Sequence, residues 1–148
     1  MLKNIDPVLG PELLWILAAM GHGDELAVVD ANYPARALHQ RCVEIPAVDT
    51  ARALTAISTL FPIDDFVTPA VWHMTPDGEP EARFAVHDRA AAILASAEGR
   101  AVSLAPLERT AFYARARAAF AAVVTTDSAP YACFLLTKGV VRAETPSA

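Results

Sequence analysis

The apolar positions along the chain repeat with two different spacings, one typical of α-helices and one typical of β-strands. Spacings of three and four residues, or alanine-rich segments, predict helices over residues 11–20, 50–60, 82–97 and 106–120. Short apolar runs predict strands over residues 26–29, 43–45, 70–74, 102–104, 121–125 and 132–137. Because helices and strands alternate over almost the whole length, the pattern predicts an α/β domain with a central sheet flanked by helices.

The domain organisation follows from length and from the composition of the last residues. A chain of 148 residues suits one domain that buries a core without disulfides or a metal. We assign residues 1–142 to this domain. We expect residues 143–148 to form a small polar tail that is frayed.

The segment after the first predicted helix offers the most informative chemistry. Two glycines flank His22, and glycines in a tight turn leave the imidazole between them exposed. Leu26–Val29 is a continuous apolar run, which is typical of a strand that is covered on both faces. Asp30 follows this strand, and ligands of open α/β sheets bind beyond the carboxyl ends of strands. Taken singly, His22 could also be a satisfied turn residue and Asp30 a cap of its own loop.

Charge and composition narrow the partners that this domain could have. The formal net charge is −5, which argues against a nucleic acid or an anionic membrane as partner. No run reaches the ~20 apolar residues of a membrane span, and the first residues lack a signal-peptide core. Cys42 and Cys133 lie far apart, so we expect a reducing compartment, the cytoplasm. The sequence has no zinc-type Cys/His spacing, phosphate loop or dinucleotide motif, so we expect no metal and no cofactor.

Two further histidines are candidates for a site, although each has a simpler interpretation. His73 follows Trp72 in a predicted strand, and adjacent strand residues point to opposite faces. One of the two side chains therefore faces a core or a cavity, and a packed or interfacial histidine is the simpler interpretation for His73. His87 lies among charged residues of a predicted helix, and we expect it at the surface.

Arg109 occupies an unusual place in the predicted helix 106–120. It lies in the first turn, where the positive end of the helix dipole disfavours a cation. We therefore expect a second role for this side chain, such as holding an anionic or hydroxyl-rich partner. The alternative is a surface ion pair with Glu108 or Asp127. Tyr113 lies on the apolar face of the same helix.

Several short motifs occur in a fixed order along nearly the whole chain. They are Met1-Leu2-Lys3, Pro11-Glu12-Leu13-Leu14, Met20-Gly21-His22-Gly23-Asp24-Glu25, Glu108-Arg109-Thr110-Ala111-Phe112-Tyr113, Pro130-Tyr131 and Leu135-Leu136-Thr137-Lys138-Gly139-Val140. In this order they resemble the RbsD/FucU family of sugar mutarotases, most closely its fucose mutarotase branch. The resemblance implies an RbsD-like fold and a homo-oligomer. Ring-shaped decamers are common in the family, smaller assemblies occur, and sites lie close to subunit contacts.

The resemblance also implies roles for individual residues. His22 would be the proton donor and acceptor, Asp30 and Arg109 would contact sugar hydroxyls, and Tyr131 would belong to the last substrate-binding segment. Cys133 stands where the family has Asn, and a thiol is a poor hydrogen-bond partner for a sugar hydroxyl. We still count Cys133 among the substrate-binding candidates. Independently of the resemblance, we assign supporting roles to Asp24, which would orient or polarise the turn, and to His73 and Tyr113.

The implied reaction interconverts the anomers of a free monosaccharide, L-fucose or a similar 6-deoxyhexose, without a cofactor. The ring oxygen gains a proton while the anomeric hydroxyl loses one, and imidazole exchanges protons near neutral pH. Two alternatives stay open: a D-ribose pyranase activity, and a non-catalytic sugar-binding or transport-associated protein. A histidine between glycines favours the enzyme, because Asn or Gln would serve a binder. A nucleotide-binding domain ranks last because the sequence offers no phosphate cradle.

Overall fold

A computed structural model describes residues 1–144 of the chain. Residues 145–148 of the tail predicted at 143–148 lie outside the described residues. The helices are α1 Pro11–Ala19, α2 Ala35–Leu38, α3 Thr50–Ile57, α4 Ala85–Glu98 and α5 Arg109–Ala116. The strands are β1 Glu25–Val29, β2 Cys42–Glu44, β3 Val71–Thr75, β4 Leu104–Glu108, β5 Ala121–Val124 and β6 Phe134–Thr137.

The strands form one sheet in the order β2-β5-β1-β6-β3-β4. Strands β1 to β5 all run in the same direction, and β6 runs antiparallel between β1 and β3. The carboxyl ends of β1, β3 and β4 therefore lie along one side of the sheet together with the start of β6, and we call this side the carboxyl edge. The amino ends of β1 and β3 lie along the opposite side together with the end of β6, and we call it the amino edge. These two edges carry the candidate site residues.

The central strand β1 is buried on both faces, as its apolar run predicts. Leu26 and Val28 join a core cluster with α1, α3 and α4 on one side of the sheet. Ala27 and Val29 join a second cluster under α2 and α5 on the other side. All four side chains are 0% exposed, so the prediction of a doubly covered strand is confirmed.

The prediction of a helix beginning at Pro106 is wrong. Pro106 lies inside β4, which pairs with β3 and is an outermost strand of the sheet. Proline lacks a backbone N–H and is tolerated on such an edge strand, where no second neighbour needs that donor. The helix begins three residues later at Arg109, after Glu108 at the N-cap position. The strand predicted at 102–104 is correspondingly longer and later in the chain.

The prediction that His87 lies at the surface is also wrong. Its side chain is 0% exposed, and it shares the buried side of α4 with Ala90 and Leu94. The alanine-rich sequence of α4 gives little contrast between its two sides, so the pattern alone did not reveal which side is buried. Among the described residues, no helix is both long enough and apolar enough to cross a membrane.

Candidate functional site

His22 lies in a tight turn between α1 and β1. Gly23 has φ of 87°, a conformation that glycine adopts readily and other residues rarely do. The Asp24 carboxylate accepts the N–H of Gly21 at 2.7 Å, and the Gly23 N–H donates to the carbonyl of Lys138 at 2.9 Å. One hydrogen bond within the turn, to Asp24, and one to Lys138, which directly follows β6, therefore stabilise the turn.

Lys138 also fixes the end of α1 that precedes this turn. Its ammonium donates to the carbonyl oxygens of Leu17 at 2.7 Å and Met20 at 2.6 Å. A cation at the last carbonyls of a helix satisfies free acceptors and complements the helix dipole. These hydrogen bonds therefore restrain the turn that carries the His22 imidazole.

A buried carboxylate holds the ring of His22. His22 Nε2 lies 3.1 Å from Oδ1 of Asp64, whose side chain is 3% exposed while that of His22 is 45% exposed. The same oxygen accepts the N–H of Phe66 at 3.2 Å, and the Phe66 ring lies 5.0 Å from the imidazole. Because a carboxylate accepts, Nε2 carries the proton in this pair, and Nδ1 carries the lone pair of the neutral ring.

The His22 side chain lines an open cavity of about 440 Å³ at the amino edge of the sheet. Glu25, Arg115 and Trp72 line the same cavity. Arg115 donates to Glu25 at 2.6 Å, and its guanidinium carbon lies 4.7 Å from the centre of the Trp72 ring. The charged groups near His22 are thus already paired with each other.

A second, smaller cavity lies at the carboxyl edge of the sheet. Its volume is about 190 Å³. It brings together all four substrate-binding residues predicted from the sequence, Asp30, Arg109, Tyr131 and Cys133, together with the supporting candidate Tyr113. These residues come from three parts of the chain. Two parts follow the parallel strands β1 and β4 and the third precedes the antiparallel strand β6, so all three lie at the same edge.

Asp30 is held by two donors in this cavity. Its carboxylate accepts the N–H of Asn32 at 3.0 Å and the thiol of Cys133 at 3.3 Å. Burial, and then the neighbouring Asp30, raise the pKa of Cys133 well above its ordinary value, so the thiol stays protonated and can donate. Cys133 therefore lines the cavity and also orients the carboxylate beside it.

The partner of Arg109 is neither Glu108 nor Asp127, so that part of the prediction is wrong. Arg109 donates to Asp77 from Nη2 at 3.0 Å and from Nε at 3.2 Å. The N–H and hydroxyl of Thr110, followed by Arg109, hold the pKa of Asp77 below its ordinary value. Because β3 and β4 are neighbours, the turn after β3 lies beside the start of α5. An ionised Asp77 there offsets the unfavourable position of a cation at the start of a helix.

The two groups of candidate residues do not meet within one chain. His22 precedes β1 and Asp30 follows it, and a strand of five residues is roughly 15 Å long. His73 lies in neither cavity: it is 2% exposed and packs against His87, with 4.0 Å between ring centres. Within residues 1–144, no three His, Cys, Asp or Glu side chains are grouped closely enough to hold a metal ion.

Comparison with known proteins identifies the family. The model of the RbsD / FucU transport protein family matches residues 3–141. The chain belongs to this family. It is similar to an L-fucose mutarotase of Glaesserella parasuis serovar 5, with 41% identity over 140 residues that cover 95% of this chain and 96% of the relative.

Solved structures of the RbsD/FucU family confirm the fold expected from the sequence. FucU from Bifidobacterium longum has a TM-score of 0.88 and 33% identity, covering 95% of this chain and all (100%) of that one. The fucose mutarotase from Streptococcus pneumoniae, solved in complex with L-fucose, has a TM-score of 0.86 and 29% identity with the same coverage. Bacillus subtilis RbsD complexed with D-ribose, at 17% identity and a TM-score of 0.73, shares the fold.

Sequence reasoning missed two carboxylates of this RbsD/FucU chain. Asp64 binds His22 from 42 positions away, in a loop whose sequence carries no signal of that contact. Asp77 belongs to a Pro-Asp-Gly segment that predicts a turn and nothing more. The unfavourable place of Arg109 is the one signal that a carboxylate must lie nearby.

Gly139 supports the His22–Asp64 pair through close backbone packing. A Cβ at this position would lie 2.8 Å from Asp64 Cα and 2.9 Å from Ile63 C, and backbone atoms cannot turn aside as a flexible side chain can. We expect Gly139→Ala to destabilise the protein by about 1–3 kcal/mol, measured as a lower melting temperature. Gly21→Ala is the matched control, because its nearest neighbour lies 3.7 Å away. Equal melting temperatures for the two variants would contradict this account.

Proposed function

We propose that this protein is an L-fucose mutarotase, which interconverts the anomers of free L-fucose or a similar 6-deoxyhexose. The observation that carries the proposal is the pair of His22 with the buried Asp64, which leaves one imidazole nitrogen for proton exchange. Binding of a sugar without catalysis does not require a group that exchanges protons. The similarity to named L-fucose mutarotases supports the same conclusion.

The reaction needs one group that can both take and return a proton. The imidazole of His22 takes the proton of the anomeric hydroxyl, the C1–O5 bond breaks, and the resulting imidazolium delivers that same proton to the ring oxygen O5, which leaves the open-chain aldehyde. Rotation about C1–C2 and the reverse proton transfers close the ring on the other face. The hydrogen bond to Asp64 stabilises the imidazolium that exists while His22 holds the additional proton. Every proton taken is returned, so the cycle consumes nothing.

The cavity at the carboxyl edge suits the hydroxyl groups of a monosaccharide. Asp30 offers carboxylate oxygens as acceptors, and Arg109 offers guanidinium N–H donors. Tyr131 and Tyr113 add aromatic surface and hydroxyl groups on the same wall. We assign this cavity to substrate binding, with Cys133 acting on the sugar mainly through Asp30.

We place the complete site between two copies of the chain, with His22 of one copy beside the Asp30 cavity of another. Two observations support this arrangement. His22 and Asp30 lie at opposite edges of one sheet, and an exposed apolar patch lies on the His22 side. The patch consists of Phe66, Val67, Val140 and Val141, which are 42% to 77% exposed. Apolar patches of this kind mark protein interfaces, and the family leads us to expect a decamer or a smaller homo-oligomer.

The two cysteines bear on the compartment in which the protein works. Cys42 and Cys133 are both free thiols in the structure. We infer a reducing compartment, the cytoplasm, because paired disulfides are typical of oxidising ones.

Saturation-transfer NMR with L-fucose, D-ribose and D-galactose tests the function directly. We expect the protein to accelerate exchange between the α and β anomers of L-fucose well above the buffer rate, and more than that of the other two sugars. Greater acceleration for ribose would favour a pyranase. Binding of a sugar with no acceleration would favour the non-catalytic alternative and overturn the proposal.

A further inference from the structure

A fully buried histidine connects α4 to the segment that carries Tyr131. His87 Nδ1 accepts the backbone N–H of Phe84 at 3.2 Å, and Nε2 lies 3.0 Å from the carbonyl oxygen of Tyr131. Since Nδ1 must offer a lone pair to an N–H, the proton of the neutral ring is on Nε2 and is donated to the carbonyl. Both ring nitrogens are used, and only this tautomer satisfies both partners.

The residue that His87 holds is one that needs support. Tyr131 has φ of 60°, which is uncommon for a residue with a side chain and costs on the order of 1 kcal/mol. Its ring stacks on Phe84 with 5.4 Å between centres and 9° between planes. His87 therefore binds the backbone of both members of this stack. Tyr131 in turn lines the cavity that contains Asp30 and Arg109.

We propose that His87 is a positioning residue of the mutarotase site: from outside the cavity, its imidazole fixes the backbone of Tyr131 and so sets the wall against which the sugar binds. The inference rests on the proposed function and deepens it. His87 does not line the cavity, so its effect passes entirely through Tyr131 and the Phe84 stack.

The surroundings keep this imidazole neutral. Burial lowers the pKa of His87, and it also lowers the pKa of the adjacent His73 to about 4. Arg83 and Asp88 are the charged groups that act on His87, and they form an ion pair with each other at 2.6 Å, so their effects largely cancel. Among residues 1–144, the buried Nδ1 of His73 has no hydrogen-bond partner. It therefore accepts no hydrogen bond from His87 that would stabilise a protonated imidazole.

The sign of the pH effect follows from these directions. A histidine whose pKa is lowered in the folded protein stabilises the fold above its ordinary pKa and loses that contribution as the pH falls. A proton on Nδ1 would point at the Phe84 N–H and break that hydrogen bond. We therefore expect the KM for sugar to rise at acid pH, where Phe84, on which the Tyr131 ring stacks, loses its hydrogen bond to His87.

The test compares His87→Leu, His87→Gln and Leu94→Ala in the anomer exchange assay. We expect His87→Leu to raise KM about tenfold with a much smaller change in kcat, because it releases Tyr131 but leaves the proton-transfer pair in place. His87→Gln keeps one donor and one acceptor, so we expect KM within about threefold of the original. Leu94→Ala is the matched control: it removes a buried side chain from the same side of α4 and should lower the melting temperature without raising KM.

Two readouts separate this inference from the function on which it rests. ¹⁵N NMR of the histidine side chains in the intact protein should find His87 with its proton on Nε2 near neutral pH. A proton on Nδ1, or an unchanged KM in His87→Leu while the wild type is active, would overturn the positioning role alone. An inactive wild type would overturn the proposed function, and the positioning role with it. A rise of KM in Leu94→Ala equal to that in His87→Leu would mean that His87 is merely structural.

Discussion

Replacement of His22 by alanine is expected to reduce the catalysed rate of L-fucose anomer exchange by at least about 100-fold, since a positioned acid–base group contributes 10²- to 10⁴-fold. The reason is that His22 is the group paired with Asp64 and also open to a cavity. Saturation-transfer NMR at saturating sugar measures the effect. We expect it in kcat rather than in KM, because the substitution leaves in place the residues that we assign to sugar binding, Asp30 and Arg109.

The fold should survive this substitution. The His22 side chain is 45% exposed, and its removal leaves Asp64 with the N–H of Phe66 as a remaining donor. The lost hydrogen bond is to a charged group and is worth about 1.5–3 kcal/mol, so the melting temperature should fall by several degrees. His22→Gln is the matched control, because its amide can still donate to Asp64 but cannot exchange protons. An active His22→Gln variant, or an unfolded His22→Ala variant, would contradict the assigned role.

The sequence was informative where a local pattern determined the structure. Leu26–Val29 could be placed in the sheet interior because four apolar residues in a row have no polar face to offer solvent. The turn around His22 could be placed because glycine permits backbone angles that other residues avoid. The shared role of Asp30, Arg109 and Tyr131 came from resemblance. Asp30 and Arg109 follow the parallel strands β1 and β4, and Tyr131 precedes the antiparallel β6, which explains in physical terms why they lie together.

The sequence was uninformative where a contact joined distant segments. Asp64 contacts His22 across 42 residues, and nothing near either residue encodes that pairing. His87 is buried because α4 packs against the sheet, while its own helix is too rich in alanine to indicate a buried side. Pro106 predicted a helix start because the sequence does not reveal that β4 lies at the sheet edge. Each error reflects tertiary packing that overrides a local preference.

Restoration of activity by mixing two inactive variants is the second large effect that we expect. His22→Ala removes the proton-transfer group, and Asp30→Asn removes the carboxylate that we assign to sugar binding. If each site takes His22 from one copy and Asp30 from another, random co-assembly of equal amounts makes about one quarter of the sites intact. Activity should therefore rise from background to about one quarter of the wild-type value. A site formed within one chain would recover nothing.

The mixing experiment requires that copies exchange and that each component is inactive alone. Unfolding and refolding the variants together, with one carrying a mass tag, allows native mass spectrometry to verify mixed oligomers. The matched control pairs His22→Ala with the double variant His22→Ala/Asp30→Asn, which contains no intact imidazole and should stay at background. Mixed oligomers without recovered activity would contradict a shared site. That result would leave His22 and Asp30 as parts of separate sites, because the five residues of β1 keep them at opposite edges of the sheet in every copy.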